Sequence, residues 1–453
     1  MYSTLKSGYD SFTFMSVALK SSLAVLFSLG ILFPEIQVVF GQVIESRKEE
    51  LIRLRQEKAQ QTVPEDKIPG VEKMLLRFES GNRRQTFQIR YKDFYPRIGA
   101  PEEGAGFGGG IRYFKQDIAS SGLTVESQAL WSLRDYRVAE FQFGRFTEIA
   151  PVTFMSPRKF HAPFEFIPET PWQIGRPRAF LYGDFKYHYF PQMSYYGLGS
   201  DSSLEDETKY LYQRLSGEVL AGYEFSEWFA GAIKTGYLDF KAGSGTADDI
   251  PSVEDRFDDS SAPGLGSRHD FYRFSVAAFA NYQDDVSNPH KGGIVGIFYT
   301  LVQQLDGNEF DFEWWAVDAR HFIPLGSRQR TLALRLAASQ VESHKGGRVP
   351  FYLMPTLGGT QTLRGFRHNR FRDSNLVYGS LEYRWEPAPA FQLALFYDVG
   401  KAYGIGEPLT FNSLETNYGF GIRFRTEKQV IIRIDFAFGG EGSRTILRSG
   451  EAF

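Results

Sequence analysis

Three charged residues late in the chain have the types and spacing to form one polar unit. Arg364 stands in LGGTQTLRGFRHNRFRDSN, Leu357–Asn375, between Leu363 and the pair Gly365–Phe366. Glu382 lies in VYGSLEYRWEP and Asp398 in FQLALFYDVGKAYG. A guanidinium is planar and donates along two edges, so one arginine can fork between two carboxylates. Gly365 removes a side chain where such a loop must pass close to a wall. This is anchoring chemistry rather than catalysis. No GxSxG nucleophile motif occurs, and the 7 histidines show no HxxxH or HExxH spacing. Gly104–Gly109 fits GxGxxG, but GIRYFKQD follows it as a strand, without the helix that cradles a phosphate. No catalytic residue, metal ligand or cofactor is therefore assigned, and the chain does not read as an enzyme.

The elements that hold these residues alternate with period two. Leu381, Tyr383 and Trp385 share one face, which turns Glu382 and Arg384 to the other. Phe391, Leu393, Leu395, Tyr397 and Val399 likewise oppose Gln392, Ala394, Phe396, Asp398 and Gly400. The same alternation runs through Gln85–Tyr91, Leu215–Phe225 and Thr331–Ser339. In the last such segment Val430, Ile432, Ile434, Phe436 and Phe438 oppose Arg433 and Asp435. Such strands could build a soluble sandwich or a membrane barrel. The barrel is favoured because one face is apolar and aromatic while the other carries Arg, Glu, Asp and Gln. The pattern also continues from residue 72 to 453 with no convincing helix, too long for one sandwich. Connections alternate between short turns, Gly440-Glu441-Gly442, and long acidic loops, KAGSGTADDIPSVEDRFDDSSAPGLGS. Only a closed sheet leaves no backbone edge unpaired in lipid. The expected fold is all-β, a transmembrane antiparallel barrel of about 16 strands at roughly 22–25 residues per strand and connection. In a water-filled lumen Arg364 would meet Glu382 and Asp398 with only part of their hydration lost.

Composition agrees. Phe 42, Tyr 24, Trp 6 and Gly 45 in 453 residues suit aromatic-faced strands with glycine turns. Formal net charge is -3, which gives no basic footprint for nucleic acid. Cysteine is absent, excluding disulfides and thiolate chemistry. Lys6 and Lys20 precede the apolar run SSLAVLFSLGILF, Ser21–Phe33, of secretory rather than membrane-spanning length. Residues 1–41 read as a signal peptide, 42–71 as a short periplasmic helix, linker or disordered segment, and 72–453 as the barrel. Asp248, Asp249, Glu254, Asp255, Asp258 and Asp259 could bind Ca²⁺ or bridge lipopolysaccharide, but such a run more often forms a solvated loop.

LRGF after GGTQT resembles the inward-folded sixth-loop motif of the BamA/TamA superfamily of outer-membrane assembly and translocation barrels, the bacterial surface antigen family. FYDVGKAYG, YGFGIRFRT and IIRIDFAFG resemble its late strands, and YYGLGSDS and DDVSNPHKGG are similar to weaker upstream signatures. The resemblance implies a 16-strand barrel, a late extracellular loop folded inward, and Arg364 in contact with Glu382 and Asp398. Leu363, Arg364, Gly365 and Phe366 are the motif positions. Phe453 matches the terminal aromatic of many assembled barrels, although Ser449 and Glu451 interrupt the usual alternation. Family assembly factors carry several periplasmic domains of about 75 residues, whereas about 30 residues separate signal and barrel here. The chain thus resembles a short member without those substrate-binding domains. The implied role is insertion or translocation of proteins or lipids at the outer membrane, among its lipids and lipopolysaccharide, with a periplasmic partner protein or translocated substrate. The alternatives are a passive or gated pore and a surface structural or adhesion protein. Gly419, Gly421, Gly439 and Gly440 would suit strands weakly paired near a seam, and equally ordinary barrel bends, so they discriminate poorly between these functions.

Overall fold

A computed structural model describes residues 92–145, 179–285, 288–343, 347–388, 390–425, 430–448 and 452–453. The segments 1–41 and 42–71 and the candidate strand Gln85–Tyr91 lie outside the described residues. One antiparallel sheet of 16 strands runs in chain order. It begins with β1 (Phe94–Ile98), β2 (Gly108–Lys115), β3 (Thr124–Ser132) and β4 (Arg137–Arg145). Longer strands follow: β5 (Ala179–Tyr195), β6 (Thr208–Glu224), β7 (Phe229–Ser244), β8 (Arg268–Asn281), β9 (Gly292–Gln304), β10 (Phe312–Leu325) and β11 (Ser327–Ser343). A two-stranded ribbon, β12 (Thr356–Leu357) and β13 (Phe371–Arg372), sits in the next connection. The wall resumes with β14 (Asn375–Ala388), β15 (Phe391–Tyr403), β16 (Glu415–Arg425), β17 (Val430–Gly439) and β18 (Gly442–Arg448).

Burial is inverted relative to a water-soluble protein. Arg214, Arg364, Arg384, Arg423 and Arg433 are among the largest fully buried side chains, while Leu381, Leu395, Tyr397, Phe420 and Trp131 are exposed. Along β15 the strict alternation places Gln392, Phe396 and Asp398 inside and Leu393, Leu395 and Tyr397 outside. In water this arrangement would expose apolar surface and strand charges; around a lumen in lipid, each face meets a matching medium. The fold is an outer-membrane type β-barrel.

Among the described residues no ladder joins β18 back to β1. Side chains span that gap instead: Glu103, between β1 and β2, lies 2.6 Å from Arg444 and 3.5 Å from Arg448 on β18.

Several local readings need correction. Val430 is buried rather than on the outer face, because a register shift after Phe424 pairs it with Arg425 and reverses its side. Strict alternation of short turns and long loops also fails. Antiparallel order places the Gly440–Glu441 turn at the same end as connections 245–267 and 347–374. Strand β18 is described as far as Arg448, and Phe453 packs inside with Phe322 and Ala333.

The acidic connection carries its charges in solvent as expected, Asp248, Asp249, Glu254, Asp255, Asp258 and Asp259 all being exposed, but it is folded rather than loose. Val253 and Ala262 are fully buried in an aromatic cluster with Tyr195, Tyr210, Phe351 and Tyr352 that caps the loop end. Asp255 closes a capping box on Ser252, and hydrogen bonds from Ser260 and Ser261 hold the exposed Asp258 carboxyl down at about 2. Asp259 joins Glu309 in binding Arg348. The carboxylates organise the loop's own backbone and cations.

The inversion sets a contrast between two exposed apolar residues. Leu395→Arg, on the outer face of β15, should lower stability by about 2–4 kcal/mol in lipid vesicles. Phe411→Arg, in the β15–β16 connection, should be near neutral by the same urea titration. Equal effects would contradict the assignment of β15's outer face to lipid.

Candidate functional site

The β11–β14 connection turns into the barrel, and its arginine reaches the inner face of two strands. Arg364 Nε and Nη2 donate to the two carboxylate oxygens of Asp398, each at 2.9 Å. Its Nη1 donates to Glu382 Oε2 at 2.8 Å, and its backbone N–H to Asp398 Oδ2 at 3.2 Å. The guanidinium carbon sits 3.5 Å from the centre of the Phe396 ring, two residues before Asp398 on the same inner face. A fork to one carboxylate, a single bond to another and a stacked aromatic require the planar group that lysine lacks.

Parity explains why those partners are available. Glu382 on β14 and Asp398 on β15 are both inward, and Ser380 stands directly opposite Asp398 in the ladder. Ser380 Oγ donates to Asp398 at 2.7 Å, Asn417 Nδ2 on β16 at 2.9 Å and Tyr378 at 3.2 Å. Glu382 also binds Arg384 at 2.7 Å and Arg423 at 2.8 Å. Both carboxylates are wholly buried and Arg364 is 1% exposed. The site is therefore not partly hydrated, as a water-filled lumen would make it, because the loop itself excludes solvent there.

The loop backbone pays for its path in strain. Leu363 adopts φ 38°, a left-handed conformation that costs a non-glycine residue about 1–3 kcal/mol. Its side chain is fully buried with Leu357, Phe366, Phe371 and Leu376, which offsets that cost. Gly365 has no such freedom of size: a Cβ there would lie 2.6 Å from Asn417 Cβ and 3.1 Å from Gly439 N. Phe366 packs its ring over Gly439. Wall arginines return the grip on the loop's main chain, Arg433 donating to Thr360 O at 3.0 Å and Arg335 to Gln361 O at 3.1 Å.

Period-two parity singled out Arg384, Arg433 and Asp435 as inward, but not their convergence with Arg423, Ser380, Tyr378 and Asn417. The strand partners of Asp398 lie on its two neighbours, β14 and β16, and only register reveals them. The late glycines serve packing rather than weak pairing: a Cβ on Gly419 would meet the Phe396 ring at 2.4 Å, and one on Gly421 would meet Asp435 at 2.2 Å. The ladders through both are continuous. YYGLGSDS supplies Gly199 and Ser200, which bond Arg372 O and Ala402 O and so tie the loop to the wall. DDVSNPHKGG folds under the opposite end, where Asn288 and His290 reach Glu386 at 3.0 and 3.2 Å.

The sequence profile of the Omp85 superfamily domain matches residues 156–445, most of the barrel and all of the Arg364 cluster. The chain belongs to the Omp85 superfamily. Among solved structures, this Omp85 barrel is similar to BamA from Haemophilus ducreyi lacking POTRA domains 1–3, with TM-score 0.52 and 13% identity over 79% of this chain and 68% of that one. It is also similar to CdiB from Acinetobacter baumannii, with TM-score 0.45 and 12% identity over 76% of this chain and 55% of that one. CdiB from Escherichia coli gives 0.47 and 9% over 79% and 61%. The BamA likeness shows a shared fold. No curated protein matches the chain. Membership places this barrel in the outer membrane.

Breaking a buried pair costs about 3–5 kcal/mol, so Arg364→Ala should destabilise the barrel by that order and expose residues 357–375 to protease. Arg364→Lys should recover part of the loss. Gly365→Ala should loosen the loop while leaving the ion cluster's partners intact. Urea unfolding in vesicles with limited proteolysis reads all three, and a silent Arg364→Ala would contradict the anchoring.

Proposed function

We propose that this Omp85 barrel assists insertion or translocation of a polypeptide or lipid at the outer membrane, with substrate engaging the seam between β1 and β18. The observation that carries this reading is that, among the described residues, no ladder joins those strands, while every other pair of neighbours in the wall is paired. An unpaired edge offers backbone donors and acceptors to an incoming strand. In this reading Leu363–Phe366 is the functional loop motif, with Glu382 and Asp398 its anchor. The loop then acts as a clasp across the seam. His368 lies 3.3 Å from Glu102 and 3.5 Å from Glu103, while Arg444 of β18 donates to Phe366 O and binds Glu103. Burial alone would raise the Glu103 carboxyl, but His368, Arg444 and Arg448 outweigh it and hold the carboxyl below its usual range. The aromatic cap at the loop end weighs against a passive open pore. Export through a signal in residues 1–41 and a separate periplasmic partner complete the proposal.

The chain has no native cysteine, so Glu103→Cys with Arg444→Cys introduces one defined crosslink. Locking this pair should reduce assembly of a test outer-membrane protein in proteoliposomes to background, and reductant should restore it. Full activity in the locked state would overturn the seam reading. Because Glu103 is held low by its cations, the clasp should persist at neutral pH and weaken only as pH falls through that depressed value. Limited proteolysis of the 357–375 loop against pH in the unsubstituted protein measures this.

A further inference from the structure

At the loop end, apart from the Arg364 cluster, a cavity of about 450 Å³ is lined by Gly199, Asp201, Arg348, Asp373, Lys401 and Glu407, among others. Asp373 follows β13 and is 7% exposed. Its Oδ1 accepts the Ser374 backbone N–H at 2.6 Å, and no cation among the described residues is paired with it. A Cβ built on Gly199 would stand 3.8 Å from Asp373 Oδ2, so that oxygen faces the small-residue side of the cavity. The nearby cations are committed elsewhere. Arg348 binds Asp259 and Glu309, Arg372 donates to Tyr210 and to Phe351 O, and Lys401 donates to Thr410 and Asn412 oxygens. Asp201 and Glu407 add negative charge to the same space.

A buried carboxylate without a counter-ion is costly, and the cost falls when a cation arrives or a proton binds. Burial, with Glu407's charge added, pushes the Asp373 carboxyl up to about 6. At neutral pH it is therefore ionised, held by hydrogen bonds from Ser374 but by no counter-ion among the described residues. We propose that this cavity binds the primary ammonium group of a small organic cation, with Asp373 as its counter-ion. A divalent metal fits less well. Ca²⁺ takes about 6–8 oxygen ligands, and no group of three acidic or histidine residues converges on one point among the described residues. The volume falls within the roughly 300–1,000 Å³ of small-molecule sites rather than that of a bare ion. Because Ser200 and Gly199 also bind Ala402 and Arg372, an occupant would stiffen the junction between connection 196–207 and the inward loop.

Calorimetry on the full chain in detergent, with butane-1,4-diamine, butane-1,4-diol and Mg²⁺ as separate probes, tests the assignment. The diamine should bind at neutral pH, and neither the diol nor Mg²⁺ should match it. Asp373→Asn, nearly isosteric, should abolish diamine binding, while Glu407→Gln should only weaken it. In the unmodified protein, affinity should fall as pH drops through about 6, since protonated Asp373 carries no charge. That titration decides the matter if the asparagine variant fails to fold. No diamine binding, unchanged affinity in Asp373→Asn, or Mg²⁺ binding as tightly as the diamine would each overturn the proposal.

Discussion

A buried guanidinium shared by carboxylates on two adjacent strands is the contact around which the late barrel is arranged. Neither side is stable in isolation. Glu382 and Asp398 side by side without cations would repel across a desolvated wall, and Arg364 without them would be a bare buried charge. Arg364 is tolerated there because both carboxylates receive it, and it is the cation forked onto Asp398, while Glu382 also has Arg384 and Arg423 from the wall. Asp398 accepts from Arg364, Ser380, Tyr378 and Asn417, so nearly all its acceptor capacity is spent on fixing one geometry. Such saturation favours a single loop conformation over a merely attracted one.

The rest of the lumen follows the same logic without a loop. Glu218 is bound by Arg214, Lys234 and Arg273, and Asp318 by Arg320 and Arg335. These clusters are supplied entirely by wall strands. Around Glu382 the wall provides Arg384 and Arg423 and leaves the remaining position to Arg364. The lumen is filled by interlocking ion pairs where a soluble core would use aliphatic packing, because its strands must give their apolar faces to lipid. Between β1 and β18, where the described residues form no ladder, Glu103 bridges to Arg444 and Arg448.

Much of this was legible in the sequence, for a physical reason. A strand between lipid and lumen alternates wherever its pairing is regular, so Leu381 and Leu395 reveal the direction of Glu382 and Asp398 directly. A lone arginine between apolar Leu363 and Gly365 marks a loop that needs a counter-charge and a close approach. Parity cannot give register or depth. The fourfold coordination of Asp398, the Arg423 contact and the exclusion of water all depend on which residues stand opposite one another. The bulge that turns Val430 inward breaks period two without changing composition. The folding of the acidic connection was hidden because its exposed Asp258 and Asp259 act on neighbouring backbone and on Arg348, distant in sequence, contacts that a run of surface charge does not disclose.

The Omp85 barrel thus joins a charge-filled late wall to a β1–β18 boundary that, among the described residues, is bridged by side chains. Its central claim is that Arg364 and its carboxylates act as one coupled unit. A double-mutant cycle measures this directly, comparing Arg364→Ala, Glu382→Gln with Asp398→Asn, and their combination by urea unfolding in vesicles. The account predicts strong non-additivity, with a coupling energy in the upper part of the roughly 0.5–3 kcal/mol seen for contacting groups. Removing the carboxylates' charge should make loss of the arginine far less damaging. Additive losses would contradict it.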